Sequence, residues 1–304
     1  MGKIFIGLVI FFIIAVLLYS QGKMDSNINY YEEVELMNVY VNVTDKKNNF
    51  VNNLLKEDFI IMEDGRKQKI TNFSIESPPL SIILIMDISA SMLENVGRNI
   101  SKFDIAKNAA LSFIKKMRSY DTYRMISIED YAYESCKRNL SFFDLRRELL
   151  FLEAKLKNTA LFDGIFYGSE LLEKEKASRK VLILFSDGLD TASRITYQEA
   201  LNKTLAVDVA IFGFVTANLN ERSGMRGYAT IEEMAKYTGG KIVAPSNINE
   251  IDGAIKNLEN ELFNVYSIAY KPPQNGGEEK KFRKIIVEVN RSDVYLRYRK
   301  GYIR

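Results

Sequence analysis

The stretch 81–92, SIILIMDISASM, decides how this chain folds. Its apolar run Ile82–Met86 carries no polar interruption. Such a run fits a strand covered on both faces, as in a parallel sheet, better than one that alternates between core and water. An acid and two hydroxyls then follow at every second position: Asp87, Ser89 and Ser91. Oxygen-bearing side chains are thus gathered where a buried strand surfaces.

Working outward, short apolar segments recur at Tyr123–Ile128, Val181–Phe185 and Val207–Val215. Between them lie amphipathic stretches such as FDIAKNAALSFIKKM (103–117), with Phe103, Ala106, Ala110, Phe113 and Met117 near helical spacing. Alternating apolar strands and helices predict an α/β fold, a doubly wound and mostly parallel sheet with helices on both faces.

The flanks have a different texture. VELMNVYVNVTD (34–45) alternates, with Val39, Val41 and Val43 on one face. DFIIMEDGRKQKITNFSI (58–75) reads as two strands joined by a turn at Glu63-Asp64-Gly65, and Pro78-Pro79 punctuates the chain. After a last helix, INEIDGAIKNLENELF (248–263), strand texture returns in VYSIAYKPP (265–273). FRKIIVEVNRSDVYLRYRKGYI (282–303) reads as a hairpin around Asn290–Asp293. The two ends are expected to pair, so that one small β domain is built from 30–77 and 264–304 with the α/β domain, 78–263, inserted.

Residues 1–22 carry an address. Ile4–Tyr19 is apolar or glycine without a charge. As a helix that run spans about 24 Å, short of the ~30 Å bilayer core. Ser20-Gln21-Gly22 then offers small residues suited to cleavage. A cleaved signal peptide and an uncleaved membrane anchor both remain open, and both place the rest outside the cytoplasm, in the periplasm, at the cell surface or secreted.

Composition excludes several chemistries. The 304 residues contain no histidine, which removes histidine-based triads, general bases and zinc sites. Cys136 is the one cysteine, so no intrachain disulfide forms, and its YESCKRNL context reads as a strand. A formal net charge of +3 argues against nucleic acid as the main partner.

Ligands of open α/β sheets bind beyond the carboxyl ends of the strands, where strand order reverses. Asp87 lies at such an end, and so does Asp187 in VLILFSDGLDTAS (181–193). Thr159 in NTALFDGI (158–165) stands at the start of a predicted helix. Carboxylates and hydroxyls without nitrogen or sulfur donors suit a hard cation. Mg²⁺, Mn²⁺ and Ca²⁺ all answer to that description. Asp and Ser after a strand also serve as helix caps or Asx turns, and Asp163 and Asp190 are assigned to capping or loop support.

The series DISAS, NTALFDGI, SDGLDT is similar to the metal-ion-dependent adhesion site of von Willebrand factor type A domains, which have a Rossmann-like α/β fold. The resemblance implies a divalent ion, usually Mg²⁺, held by Asp87, Ser89, Ser91, Thr159 and Asp187 and coordinating an acidic residue of a partner protein. VNVTDKKNNFVNNLLKEDFIIMEDGRKQKITNFS (41–74), MAKYTGGKIV (234–243), YSIAYKP (266–272) and FRKIIVEVNR (282–291) resemble exported bacterial proteins of the VWFA-related type, so the likeness runs over about 33–303. Asn158 and Ala90 stand where that family often has glycine.

The expected function is therefore an exported, non-catalytic adhesion module that binds a partner carboxylate through its metal, touching a membrane only through an uncleaved N-terminal segment. A structural envelope protein with a fold-locking metal is one alternative. A Mg²⁺-dependent hydrolase is another, although the chain lacks a Gly-rich phosphate loop and a second acid two residues after Asp87. Two further features are weaker. The basic set Lys280, Lys281, Arg283, Lys284, Arg291, Arg297, Arg299, Lys300 and Arg304 reads as a solvated strand face or a patch for anionic polymers. TANLNERSGMRGYAT (216–230) reads as a long polar loop beside the site.

Overall fold

The computed structural model describes residues 36–304 except 76, 97–98, 136–138, 178, 246 and 274–280. The N-terminal address and Cys136 lie outside the described residues. The chain enters through β1 (Met37–Asp45), β2 (Phe59–Glu63), β3 (Arg66–Gln68) and β4 (Ile70–Ser74). Asp64 and Gly65 both have positive φ, 47° and 79°, the conformation that closes a two-residue hairpin between right-twisted strands. The segment expected to hold two strands holds three, because after Lys69 the chain leaves β3 and β4 pairs in a different sheet.

The α/β region follows as β5 (Leu80–Asp87), α1 (Lys102–Ile114), β6 (Thr122–Ile128), β7 (Ala132–Glu134), α2 (Phe142–Phe151), α3 (Leu161–Glu173), β8 (Arg179–Ser186), α4 (Tyr197–Val207), β9 (Val209–Val215), α5 (Arg222–Thr238), β10 (Ile242–Val243) and α6 (Ile251–Phe263). Its six strands run in the order β10-β9-β8-β5-β6-β7, all parallel except β7 against β6. The unbroken apolar run of β5 is explained by its neighbours. Ile82, Leu84 and Met86 pack with Ala106 and Phe113 of α1, Leu145 of α2 and Leu258 of α6. Ile83 and Ile85 point the other way, into Ile165 of α3, Leu205 of α4 and Ile231 of α5. Helix starts follow local capping: Ser101 with Asp104 opens α1, Ser141 opens α2, and Thr196 with Glu199 opens α4.

The chain closes with β11 (Tyr266–Tyr270), β12 (Phe282–Val289), β13 (Val294–Arg297) and β14 (Gly301–Ile303). Two four-stranded antiparallel sheets result, β13-β1-β11-β4 and β14-β12-β2-β3, and each mixes strands from both chain ends. Val39, Val41, Ile61, Tyr266, Ile268 and Val287 form their shared core. Antiparallel sheets built from both chain ends are thus present. The expected hairpin around Asn290–Asp293 is not: β12 pairs with β2 and β14, while β13 crosses to the other sheet and pairs with β1. Partners distant in sequence win over the adjacent strand because they place Ile285 and Val287 in the common core.

Two other expectations are corrected. Most of the segment 216–230 is helical, since α5 begins at Arg222. Its glycines serve close packing: a Cβ on Gly224 would lie 2.1 Å from the Asn218 carbonyl oxygen. The basic set is neither a free patch nor a purely solvated face. Arg283 pairs with Glu63 and Asp64, Arg297 with Glu261, and buried Arg299 with Asp208, so several of these cations tie elements together; Lys280 lies outside the described residues.

Candidate metal centre

Strand order fixes the place of the site. From β5 the chain adds β6 and β7 on one side, then returns to add β8, β9 and β10 on the other, so the reversal lies between β5 and β8. Their register pairs Met86 with Phe185, which brings Asp87 and Ser186 to the same carboxyl edge, with Asp187 one residue beyond. Asp87, Ser89, Thr159 and Asp187 are all buried, at 0%, 0%, 3% and 1% exposure, and Ser91 is half-buried.

The three loops are bonded to one another. Ser186 Oγ donates to Asp87 Oδ2 at 2.6 Å, joining the first and third. The Lys155 amide donates to the Ile88 carbonyl at 2.7 Å and the Ala90 amide to the Lys157 carbonyl at 2.8 Å, joining the first and second. The Thr159 amide donates to Thr191 Oγ1 at 3.0 Å, and the Thr159 carbonyl accepts from the amides of Thr191 and Ala192, joining the second and third. Within the first loop the Ser89 amide donates to Asp87 Oδ1 at 3.0 Å, and the Ser89 and Ser91 hydroxyls lie 3.2 Å apart.

Asn158 and Ala90, in place of the expected glycines, need no left-handed backbone, since neither is among the residues with positive φ. Asn158 is also a latch, its amide and its side chain both donating to Asp130 Oδ1, at 2.9 and 3.0 Å. Asp190 accepts from the amides of Leu161 and Phe162, capping α3 where Ala160 offers no side-chain oxygen. Asp163 accepts from the amides of Arg194 and Ile195 and holds the loop after β8.

Burial pushes the Asp87 carboxyl up to about 6, and the neighbouring charge of Asp187 adds to that; hydrogen bonds from Ser186 and Ser89 oppose it. One cation answers this negative charge. Lys102, buried at the first position of α1, places its ammonium 3.1 Å from Asp187 Oδ2 and 2.5 Å from Glu94 Oε2. Burial pulls that ammonium down, and the two carboxylates more than offset it, holding it above the usual lysine value.

Sequence reasoning missed Lys102, Glu94 and Ser186. Ser186 was legible as the strand-end residue beside Asp187. Lys102 had a signal too, a cation at the positive end of a helix dipole. Among the described residues no group of three or more His, Cys, Asp or Glu side chains is placed to hold a metal ion. The candidate set is of another kind, with two carboxylates, three hydroxyls and no sulfur or imidazole, and its donors fit a hard divalent cation.

Residues 82–189 match the family model of the von Willebrand factor type A domain. Among solved structures, an aerotolerance-related membrane protein from Bacteroides fragilis, carrying multiple mutations to serines, is 16% identical with a TM-score of 0.50, covering 60% of this chain and 98% of that one. Proximal thread matrix protein 1 from the mussel byssus is 13% identical with a TM-score of 0.50, covering 67% of this chain and 50% of that one. A von Willebrand factor type A protein from Catenulispora acidiphila is 10% identical with a TM-score of 0.49, covering 88% of this chain and 73% of that one. For the first two, at such identities, the likeness is one of fold. No curated protein matches this chain. Domains of the matched type are in general non-catalytic protein-interaction modules, often with a divalent metal site. The six-stranded sheet, its two helical layers and the matched segment make this chain a carrier of a von Willebrand factor type A domain.

Proposed function

We propose that this chain is an exported, non-catalytic adhesion and interaction module that takes up an acidic group of a partner protein through a divalent ion, Mg²⁺ before Mn²⁺ or Ca²⁺, held by Asp87, Ser89, Ser91, Thr159 and Asp187. The observation that supports it best is the convergence of three mutually bonded loops that carry two buried carboxylates at the reversal of strand order. A bound divalent ion supplies an electrophilic contact for the partner's carboxylate. The chain's own groups do the rest. Asp87 and Asp187 bring the negative charge that attracts the ion. Ser89, Ser91 and Thr159 add neutral oxygens, which do not repel an incoming acid. Export rests on the apolar run Ile4–Tyr19.

The fold-locking alternative is weaker on these grounds, because the loops already hold one another through Ser186–Asp87, Ala90–Lys157 and Thr159–Thr191. Thermal melting in EDTA, Mg²⁺ or Mn²⁺, with and without glutarate as a soluble carboxylate, tests the proposal. An ion at about 100 times its dissociation constant adds about 2.7 kcal/mol to stability. The expected result is a metal-dependent shift, increased by glutarate and absent from Asp87→Ala. No shift in the parent protein under any of these conditions overturns the proposal.

A further inference from the structure

Lys102 is an expensive residue where it stands. Its side chain is only 7% exposed, and it occupies the first turn of α1, where the helix dipole disfavours a cation. Such a placement needs strong compensation, and two carboxylates provide it. Asp187 Oδ2 accepts on the buried side at 3.1 Å, and Glu94 Oε2 on the solvent side at 2.5 Å. Glu94 is tied to Lys102 a second time, since the Lys102 amide donates to the Glu94 carbonyl at 2.9 Å. The two residues therefore stay together whatever the ammonium does.

Asp187 has both oxygens engaged, Oδ1 by the Leu189 amide at 3.2 Å and Oδ2 by Lys102. An ion that uses Asp187 must share or displace that ammonium. There is space for displacement. A cavity of about 350 Å³ opens beside Lys102, lined by Glu94, Asn95, Thr216, Asn218 and Glu221 among others. Charge points the same way: Asp87, Asp187 and Glu94 against Lys102 leave two negative charges, the complement of one divalent ion.

We infer that Lys102 is a tethered counter-ion of the metal centre, competing with a divalent cation for Asp187 and withdrawing to Glu94 when the cation binds. The inference rests on the metal reading above and deepens it by naming the residue that sets the threshold for metal uptake. Lys102 lowers the affinity of the free site, and Glu94 determines by how much.

The test is isothermal titration of the whole protein with Mg²⁺ and with Mn²⁺, comparing the parent with Lys102→Met, Glu94→Gln and the double variant, each checked by circular dichroism in EDTA. Methionine keeps the length of the side chain and removes its charge. Lys102→Met should bind about tenfold more tightly or better, because a buried like charge beside the ion is gone. Glu94→Gln should bind more weakly in the parent, because the ammonium has lost its other partner. The same change should cost clearly less in the Lys102→Met background, where coupling through Lys102 is absent and only the solvent-screened charge of the exposed Glu94 is lost. Affinity unchanged or weaker in Lys102→Met overturns the inference and leaves the metal reading standing. Equal weakening by Glu94→Gln in both backgrounds overturns the tether. Absence of binding in every protein removes the metal reading and this inference with it. Should Lys102→Met fail to fold, the exposed Glu94→Gln still decides, since unchanged affinity there overturns the proposal.

Discussion

Ser186, the last residue of β8, donates its hydroxyl to Asp87, the last residue of β5, at 2.6 Å, and accepts from the Gly188 amide at 3.0 Å. One hydroxyl thus joins the two central strands at their carboxyl edge and sets the orientation of the most buried acid. Ser186→Ala removes a buried hydrogen bond to a carboxylate and leaves the Gly188 amide unpaired. The expected cost is about 2 kcal/mol in urea unfolding, with Mg²⁺ affinity falling as Asp87 loses its orientation. Unchanged stability in Ser186→Ala contradicts this account of the edge.

The proton affinity of Asp87 predicts an unusual pH dependence. Burial raises its carboxyl from 3.8 to about 6, so the folded protein binds this proton more tightly than the unfolded chain does. Below the ordinary value both states are protonated and the residue contributes no slope. As pH rises from about 4 to about 6 the unfolded chain ionises first, and folded stability falls by about 3 kcal/mol in all. In EDTA, chemical denaturation across this window should show that decline, and Asp87→Asn should flatten it. On the proposed metal reading the sign reverses, because binding would require the ionised form, so the Mg²⁺-induced increment should grow over the same window.

Gly227 gives a test of how α5 meets the site. A Cβ there would lie 2.4 Å from the Asp187 carbonyl oxygen, whereas a Cβ on Gly253 of α6 would meet nothing within 4 Å. In an open helix position Gly→Ala stabilises by about 1 kcal/mol. Gly253→Ala should therefore raise the melting temperature. Gly227→Ala should lower it and diminish the metal-induced shift, since relief of the clash moves the third loop. Equal effects of the two substitutions would refute this role for Gly227.

The same glycines show what the sequence could and could not reveal. The apolar runs of β5 and β8 declare a two-sided sheet by themselves, and the acids that follow them declare its edge. Helix α5 was hidden because Gly224 and Gly227 are loop signals in isolation, and their packing reason lies in Asn218 and Asp187, which only the fold brings near. The turn at Asn290–Asp293 looked like a hairpin because local pattern cannot weigh β1 and β2 as rival partners. The burial of Lys102 is a tertiary fact that no local pattern displays.

Glu63 offers the means to separate scaffold from site. It is 1% exposed, accepts from Tyr270 at 2.7 Å and Tyr302 at 3.2 Å, and pairs with Arg283 at 3.2 Å. Those partners lie on β11, β14 and β12, so a single carboxylate from β2 reaches both antiparallel sheets. Glu63→Ala leaves two tyrosine hydroxyls without their acceptor and reduces Arg283 to its contact with Asp64. Breaking a buried pair of this kind costs about 3 kcal/mol or more, so the melting temperature should drop substantially. The three loops carrying Asp87, Thr159 and Asp187 make none of these contacts, and the increment on adding Mg²⁺ should stay that of the parent. A Mg²⁺ increment that shrinks along with the melting temperature would instead mean that the paired chain ends help to shape the metal centre.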